Sequence, residues 1–246
     1  GFTMEKDAGE EFFKGSMKQG FDFYSAHVFV KDLGVVKAAG IGDFQAQFGQ
    51  GLVFWSGLAF GKSSDGVSIK RSAQGLRPYT SVDENRFLRG GGATLKFGKF
   101  EVTAFGSYKQ LDANVSTEAD TLSEEDETVS SIFSGGFHRT PGELEDRWSL
   151  TEAIYGGNLS FKGKRLTLGV TAVGYQFSKP FQRSDDLSNL FEFSGKQNSN
   201  YGLDYSYLWK NFHFFGEFGL SQNLGFATTH GLFMTIDPKV TVTAMV

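Results

Sequence analysis

The chain of 246 residues holds 32 Gly, 27 Phe, only 4 Pro and no Cys, with a formal net charge of −4. Missing cysteine excludes a disulfide framework, a thiolate metal site and a thiol nucleophile, and slight acidity argues against nucleic acid, whose partners are basic. No run reaches the roughly 18–20 apolar residues of a membrane helix, but a spanning strand needs only about 9–11, alternately apolar.

Alternation between turn signals predicts a hairpin of 21–31 with 35–48. Its first strand, FDFYSAHVFV, is apolar on both faces. The return strand sets Val36, Ala38, Gly40, Gly42, Phe44, Ala46 and Phe48 against Lys37, Asp43, Gln45 and Gln47. The segment 49–63 that follows is too apolar for an exposed loop, and its glycines permit close backbone approach. It does not meet the phosphate-loop pattern G-x-x-x-x-G-K-[ST]. An inward-folded segment is expected there.

DENRFLRGGG (83–92) gathers Asp83, Glu84, Arg86 and Arg89. We read it as a salt-bridged knot of the kind that fixes plugs and constrictions rather than a catalytic constellation. Ser81 with Glu84 three residues on predicts a short helix. A hairpin of 91–98 with 100–110 follows and carries Glu101. The acidic stretch 116–128 has six carboxylates in thirteen residues, but not the spacing or the turn glycine of a calcium loop. It reads as a solvated loop. Thr140, Pro141 and Glu143 are the cap, first-turn proline and capping-box residue of a helix over about 141–153.

Three more hairpins complete the chain. In 153–162 with 165–178, one face of the second strand is Leu166, Leu168, Val170, Ala172 and Gly174, the other Thr167, Gly169, Thr171, Val173 and Tyr175. In 200–209 with 212–221, Tyr201, Leu203, Tyr205, Tyr207 and Trp209 oppose Gly202, Asp204 and Ser206. The return strand is again apolar on both faces and puts Glu217 in line with Phe215. The last hairpin is 227–236 with 239–246.

The turns inside hairpins are short, whereas 49–90, 111–152 and 179–199 are long connections. That asymmetry is the pattern of an outer-membrane barrel, with periplasmic turns and extracellular loops. Lipocalin-like soluble barrels close with about eight strands, and ten are countable here. Phe97, Phe100, Phe161, Tyr175, Phe177, Trp209 and Phe212 suit interfacial girdles. The expected fold is therefore all-β, one antiparallel transmembrane β-barrel portion over 1–246. The chain opens at Gly1 without the shape of a signal peptide and stops inside an alternating run, so it reads as a piece cut at both ends.

Candidate lumen or plug residues are Lys37, Asp43, Gln45, Gln47, Asp83, Glu84, Arg86, Arg89, Glu101, Asp204 and Glu217. Their mixed signs indicate no strong ion selectivity. The histidines at 27, 138, 213 and 230 show no H-E-x-x-H and no i,i+4 pairing. Ser160 or Ser206 with His213 is the only Ser–His arrangement to consider, and nothing in the sequence favours it. No enzyme activity, cofactor or metal is expected. The readings are a channel or transporter in the outer-membrane bilayer, a barrel subunit or scaffold assembled with other outer-membrane or periplasmic proteins, and, disfavoured by the loop asymmetry, a soluble β-rich binding protein.

The phrases GDFQAQFGQGL (42–52), YTSVDENRFLRGGGAT (79–94), LDANV (111–115), FHRTPGEL (137–144) and FFGEFGLS (214–221) together resemble a group of large outer-membrane barrel proteins of Bacteroidota. Members of that group carry an N-terminal helix-hairpin-helix region before the barrel. The resemblance implies a Gram-negative outer-membrane location and more strands than this chain holds. The helix-hairpin-helix part is absent, and no functional residues carry over.

Overall fold

A computed structural model describes residues 1–246 except 16, 19, 60–65, 119–125, 183–185, 190 and 191. Its strands are β1 (Phe2–Glu5), β2 (Phe23–Leu33), β3 (Val36–Gln47), β4 (Gly75–Pro78), β5 (Leu88–Phe97), β6 (Phe100–Leu111), β7 (Ala113–Glu118), β8 (Asp126–Ile132), β9 (Leu150–Lys162), β10 (Leu166–Phe181), β11 (Gly195–Trp209), β12 (Phe212–Ser221), β13 (Phe226–Asp237) and β14 (Val240–Met245). All belong to one sheet, and its main path β1-β2-β3-β5-β6-β9-β10-β11-β12-β13-β14 is an antiparallel meander. β4 extends the pairing of β3 beyond β5, and the β7–β8 hairpin touches the end of β10 through one parallel bridge, Val129 to Phe181. The sheet is not closed: β1 and β14 do not pair with each other. Among the described residues no helix is long and apolar enough to cross a membrane, which leaves crossing by strands untouched.

Each of the five expected hairpins is present, turning at the expected short signals. At the β5–β6 turn Gly98 sits at φ 60, a left-handed position that costs other residues roughly 1–2 kcal/mol. The sequence pattern misses β1, β4, β7 and β8. β7 and β8 are the flanks of the acidic stretch, whose centre lies outside the described residues.

The helix is shorter than expected. α1 spans only Pro141–Asp146, with the capping box of Thr140 and Glu143 in place. Trp148 then turns left-handed at φ 55, its N–H donates to Asp112 Oδ1 at 2.8 Å, and Leu150 already pairs with Leu111 of β6. The sheet ladder thus takes the residues that the helical pattern claimed. The helix expected after Ser81 does not form either: residues 79–87 are irregular.

Over the half of the sheet nearer the short turns, polarity is reversed relative to a soluble sheet. Thr94, Glu101, Thr103, Ser107, Asn158, Ser160 and Thr171 are buried on the inner face. On the outer face Val28 (74%), Ile41 (75%), Tyr108 (68%) and Val170 (53%) are exposed. The face Leu168, Val170, Ala172 is the outer one, because Thr171 and Val173 are buried and side chains alternate. Near the short turns the outer face carries aromatic pairs, Phe100–Phe161 at 5.4 Å and Trp209–Phe212 at 5.8 Å. Tyr175 and Phe177, expected in such girdles, instead pack inside. Tyr175 lies 6.3 Å from Phe54, and Phe177 lies 4.8 Å from Phe181.

Gly98→Val should destabilise the protein by about 1–2 kcal/mol through backbone strain alone, since no neighbour stands near a Cβ there. Gly106→Ala, equally uncrowded and without a positive φ, should stay within about 0.5 kcal/mol. Equilibrium urea unfolding compares them.

Candidate functional site

Short polar side chains on the inner face satisfy one another across strands. Thr94 and Thr103 hydroxyls lie 2.9 Å apart, Asn158 Nδ2 donates to Thr171 Oγ1 at 3.0 Å, and Lys37 Nζ donates to Glu101 Oε1 at 2.7 Å. Towards the long loops this face turns apolar. Phe44, Ala46, Phe48, Phe105, Ile154 and Val173 form a core there.

The chain leaving β3 folds back onto that core. Ser56 donates its N–H to the Ala46 carbonyl at 3.0 Å, and its Oγ accepts from the Ala46 N–H at 2.7 Å. Phe54 packs on Phe105 with ring centroids 5.2 Å apart. At the tip of the segment, the N–H groups of Gln50, Leu52 and Val53 donate to the Glu217 carboxylate at 2.6, 3.0 and 3.1 Å. Glu217 is 1% exposed, so these amides supply the compensation that a buried carboxylate needs.

Glycines make the contact geometrically feasible. A Cβ at Gly49 (φ 55) would stand 2.7 Å from the Glu217 carboxyl carbon. A Cβ at Gly202 would stand 2.7 Å from Val53 Cγ2, and one at Gly219 3.2 Å from it. The neighbouring strands β11 and β12 therefore present a notch that receives Val53. The described part of 49–63 is an inward-folded plug; residues 60–63 lie outside the described residues. On the short-turn side of the plug lies a cavity of about 520 Å³, lined by Lys37, Glu101, Lys162 and Asp204 of the sheet and Lys70 and Arg71 of the plug loop.

The structure brings Lys37, Glu101, Asp204 and Glu217 to the inner face. Asp43, Gln45 and Gln47 alternate with Phe44, Ala46 and Phe48 along β3; Gln47 Nε2 donates to the Ser56 carbonyl of the plug at 3.3 Å and borders the cavity, and Gln45 packs against Gly57 of the plug. The four residues of the 83–92 knot separate into three sites. Arg89 clamps Asp43 through Nε–Oδ1 at 2.8 Å and Nη2–Oδ2 at 2.9 Å and also donates to the Tyr24 carbonyl. Asp83 Oδ1 accepts from the N–H groups of Asn85 and Arg86, both at 3.0 Å, a local turn in place of the helix. Tyr79 donates its hydroxyl to the Asp83 carbonyl, and the Arg86 Nε sits 3.6 Å from Asp83 Oδ2.

Glu84 points elsewhere, against Gly136. Burial, and then the nearby Asp22 charge, push its carboxyl up to about 8. It borders a group that sequence reasoning missed: Glu10, Asp22, Asp112 and His138. His138 Nε2 lies 2.9 Å from Asp112 Oδ2, and the His138 N–H donates to Glu10 Oε1 at 2.8 Å. Burial opposes a charge on the ring, but Asp112 and Asp22 outweigh it and hold the imidazole up to about 9. These residues come from the segment before β2, the β6–β7 junction and the loop before α1, too far apart in the chain for any spacing rule to join them.

Ser206 Oγ lies 2.7 Å from His213 Nε2, the contact a Ser–His nucleophile requires. Among the described residues no carboxylate pairs with His213 to orient its ring as in a catalytic triad. No protein-family model matches the chain, and no curated protein is significantly similar to it.

Glu217→Ala should release the plug. Losing three bonds to a buried charge is worth about 3 kcal/mol, so amide exchange at Gln50, Leu52 and Val53 should rise by about a hundredfold. Hydrogen-exchange mass spectrometry reads this directly.

Proposed function

We propose that the chain forms the wall of an outer-membrane β-barrel of the channel or transporter type, its lumen closed by the segment after β3. The observation that carries this reading is the reversed polarity of the sheet. Hydroxyls, amides and the Glu101 and Glu217 carboxylates are buried on one face while Val28, Ile41, Leu168, Val170 and Leu203 are exposed on the other. A soluble protein rarely leaves an apolar surface of that extent uncovered, and lipid covers it naturally.

The aromatic spacing agrees. Tyr201 and Trp209, both on the outer face of β11, are eight residues apart, roughly 26 Å along a strand. That matches an apolar band of about 25 Å once tilt is allowed for. The resemblance to Bacteroidota outer-membrane barrels points to the same location, with a Gram-negative outer membrane as the partner surface.

The plug favours a gated lumen. The strands that are apolar on both faces need no neighbouring protein to explain them. Phe29 packs against the inner core, and Phe215 packs with His213 and Phe233 at 6.0 and 5.2 Å. Lys37 is engaged by Glu101, so Lys70, Arg71 and Lys162 outnumber Asp204 in the cavity lining. Anions should therefore pass more readily than cations.

Full-length protein in planar bilayers should conduct weakly. Glu217→Ala, or deletion of 49–58, should raise the conductance, with a reversal potential favouring anions. Silence of all three, together with a stoichiometric outer-membrane or periplasmic partner in a mild-detergent pull-down, would establish the scaffold reading instead. Purification without detergent as a monodisperse species would exclude both. Separately, Val170→Arg should cost about 2–4 kcal/mol of folding into lipid vesicles if that face meets lipid, and almost nothing if it meets water.

A further inference from the structure

We propose that His138 Nδ1 and the carboxylates of Glu10 and Asp22 form a binding site for one divalent transition-metal ion, zinc being the best fit. The site lies at the long-loop end of the sheet and ties the segment before β2 to the loop before α1.

Three observations carry the assignment. The first is convergence. One donor atom from each residue lies within 4.8 Å of the others, and His138 Nδ1 stands 3.8 Å from Asp22 Oδ2 and 4.0 Å from Glu10 Oε1. An ion can sit within about 2.5 Å of all three, so a contraction of a few tenths of an ångström reaches zinc's bonds of about 2.0–2.2 Å.

The second is unmet bonding. Both oxygens of Asp22 and the Nδ1 of His138 are buried and make no hydrogen bond, and the Asp22 and His138 side chains are 0% and 1% exposed. A buried carboxylate oxygen ordinarily finds a partner. Here Nδ1 has Asp22 Oδ2 at 3.8 Å and Glu10 Oε1 at 4.0 Å, close enough for an ion pair and too far for a hydrogen bond.

The third is the outer shell. The opposite ring nitrogen, Nε2, is held by Asp112 at 2.9 Å, and Asp112 is itself fixed by the Trp148 N–H at 2.8 Å. A carboxylate on the far nitrogen is the usual support of a metal-bound histidine, because it sets the ring's orientation and leaves the near nitrogen to the ion. Metal binding displaces the proton from that nitrogen. The mixed nitrogen and carboxylate donors favour zinc over calcium or magnesium, which take oxygen.

The test uses the full-length protein in detergent, stripped with EDTA and titrated with Zn²⁺, with metal content confirmed by mass spectrometry. One Zn²⁺ per chain is expected, together with protection of residues 1–22 from proteolysis. His138→Ala and Asp22→Asn should abolish stoichiometric binding. Asp112→Asn should keep the stoichiometry but weaken affinity about 10–100-fold, and His27→Ala should change nothing. Asp22→Asn removes a buried negative charge, so its metal-free fold should survive, and its loss of binding cannot be put down to unfolding. Absence of saturable Zn²⁺ uptake, uptake that persists in both His138→Ala and Asp22→Asn, or saturable Ca²⁺ binding without Zn²⁺ binding would overturn the assignment.

Discussion

A buried carboxylate on one strand, satisfied by the backbone of a distant segment, is the constraint on which the interior depends. Glu217 sits on the inner face of β12, away from water and from any cation within salt-bridge distance among the described residues. Left alone it would be expensive to bury. Three amides of the plug converge on it from about 165 residues away in sequence. Because those amides would also be unpaired inside the sheet, each side supplies what the other lacks. The bond fixes where the chain after β3 must go, and Val53 then finds the glycine notch on β11 and β12.

The same logic runs along the whole inner face. Near the short turns it is polar and pairs with itself through Thr94–Thr103, Asn158–Thr171 and Lys37–Glu101. Near the long loops it is apolar and needs another layer. The plug provides that layer with Phe54, whose ring meets those of Phe105 and Phe48. One segment thus closes the apolar half of the interior and leaves a polar cavity in the other half. Among the described residues nothing covers the outer face, and for that reason the proposed location is a membrane.

At the long-loop end a different problem is solved. Glu10, Asp22, Asp112 and His138 bring several negative groups into a small buried volume. Such a cluster is unfavourable unless protons or a cation compensate it. Burial first, and this negative charge second, keep the proton on Glu84 towards neutral pH. The Asp43–Arg89 clamp and the Asp83 turn hold the adjoining loop, so the loop end is ordered by charge and the interior by packing.

The sequence by itself determined the alternation. Period-two patterning and short turns place ten of the strands and their hairpin partners, because side-chain direction in a strand follows from position alone. It also marked 49–63 as too apolar for water, and Thr140 and Glu143 as a helix start. Those signals are local and need no partner. Tertiary structure decided everything that required a partner from elsewhere in the chain. The sequence lists Glu217 as a polar residue on a strand, and only the fold shows which amides it meets. Asp43, Gln45 and Gln47 alternate correctly, yet whether polar or apolar residues point inward on β3 depends on what fills the interior there. The helix ended early because β6 offered Leu150 a ladder. His138 carried no signal at all, since its carboxylates are neighbours only after the long loops fold together.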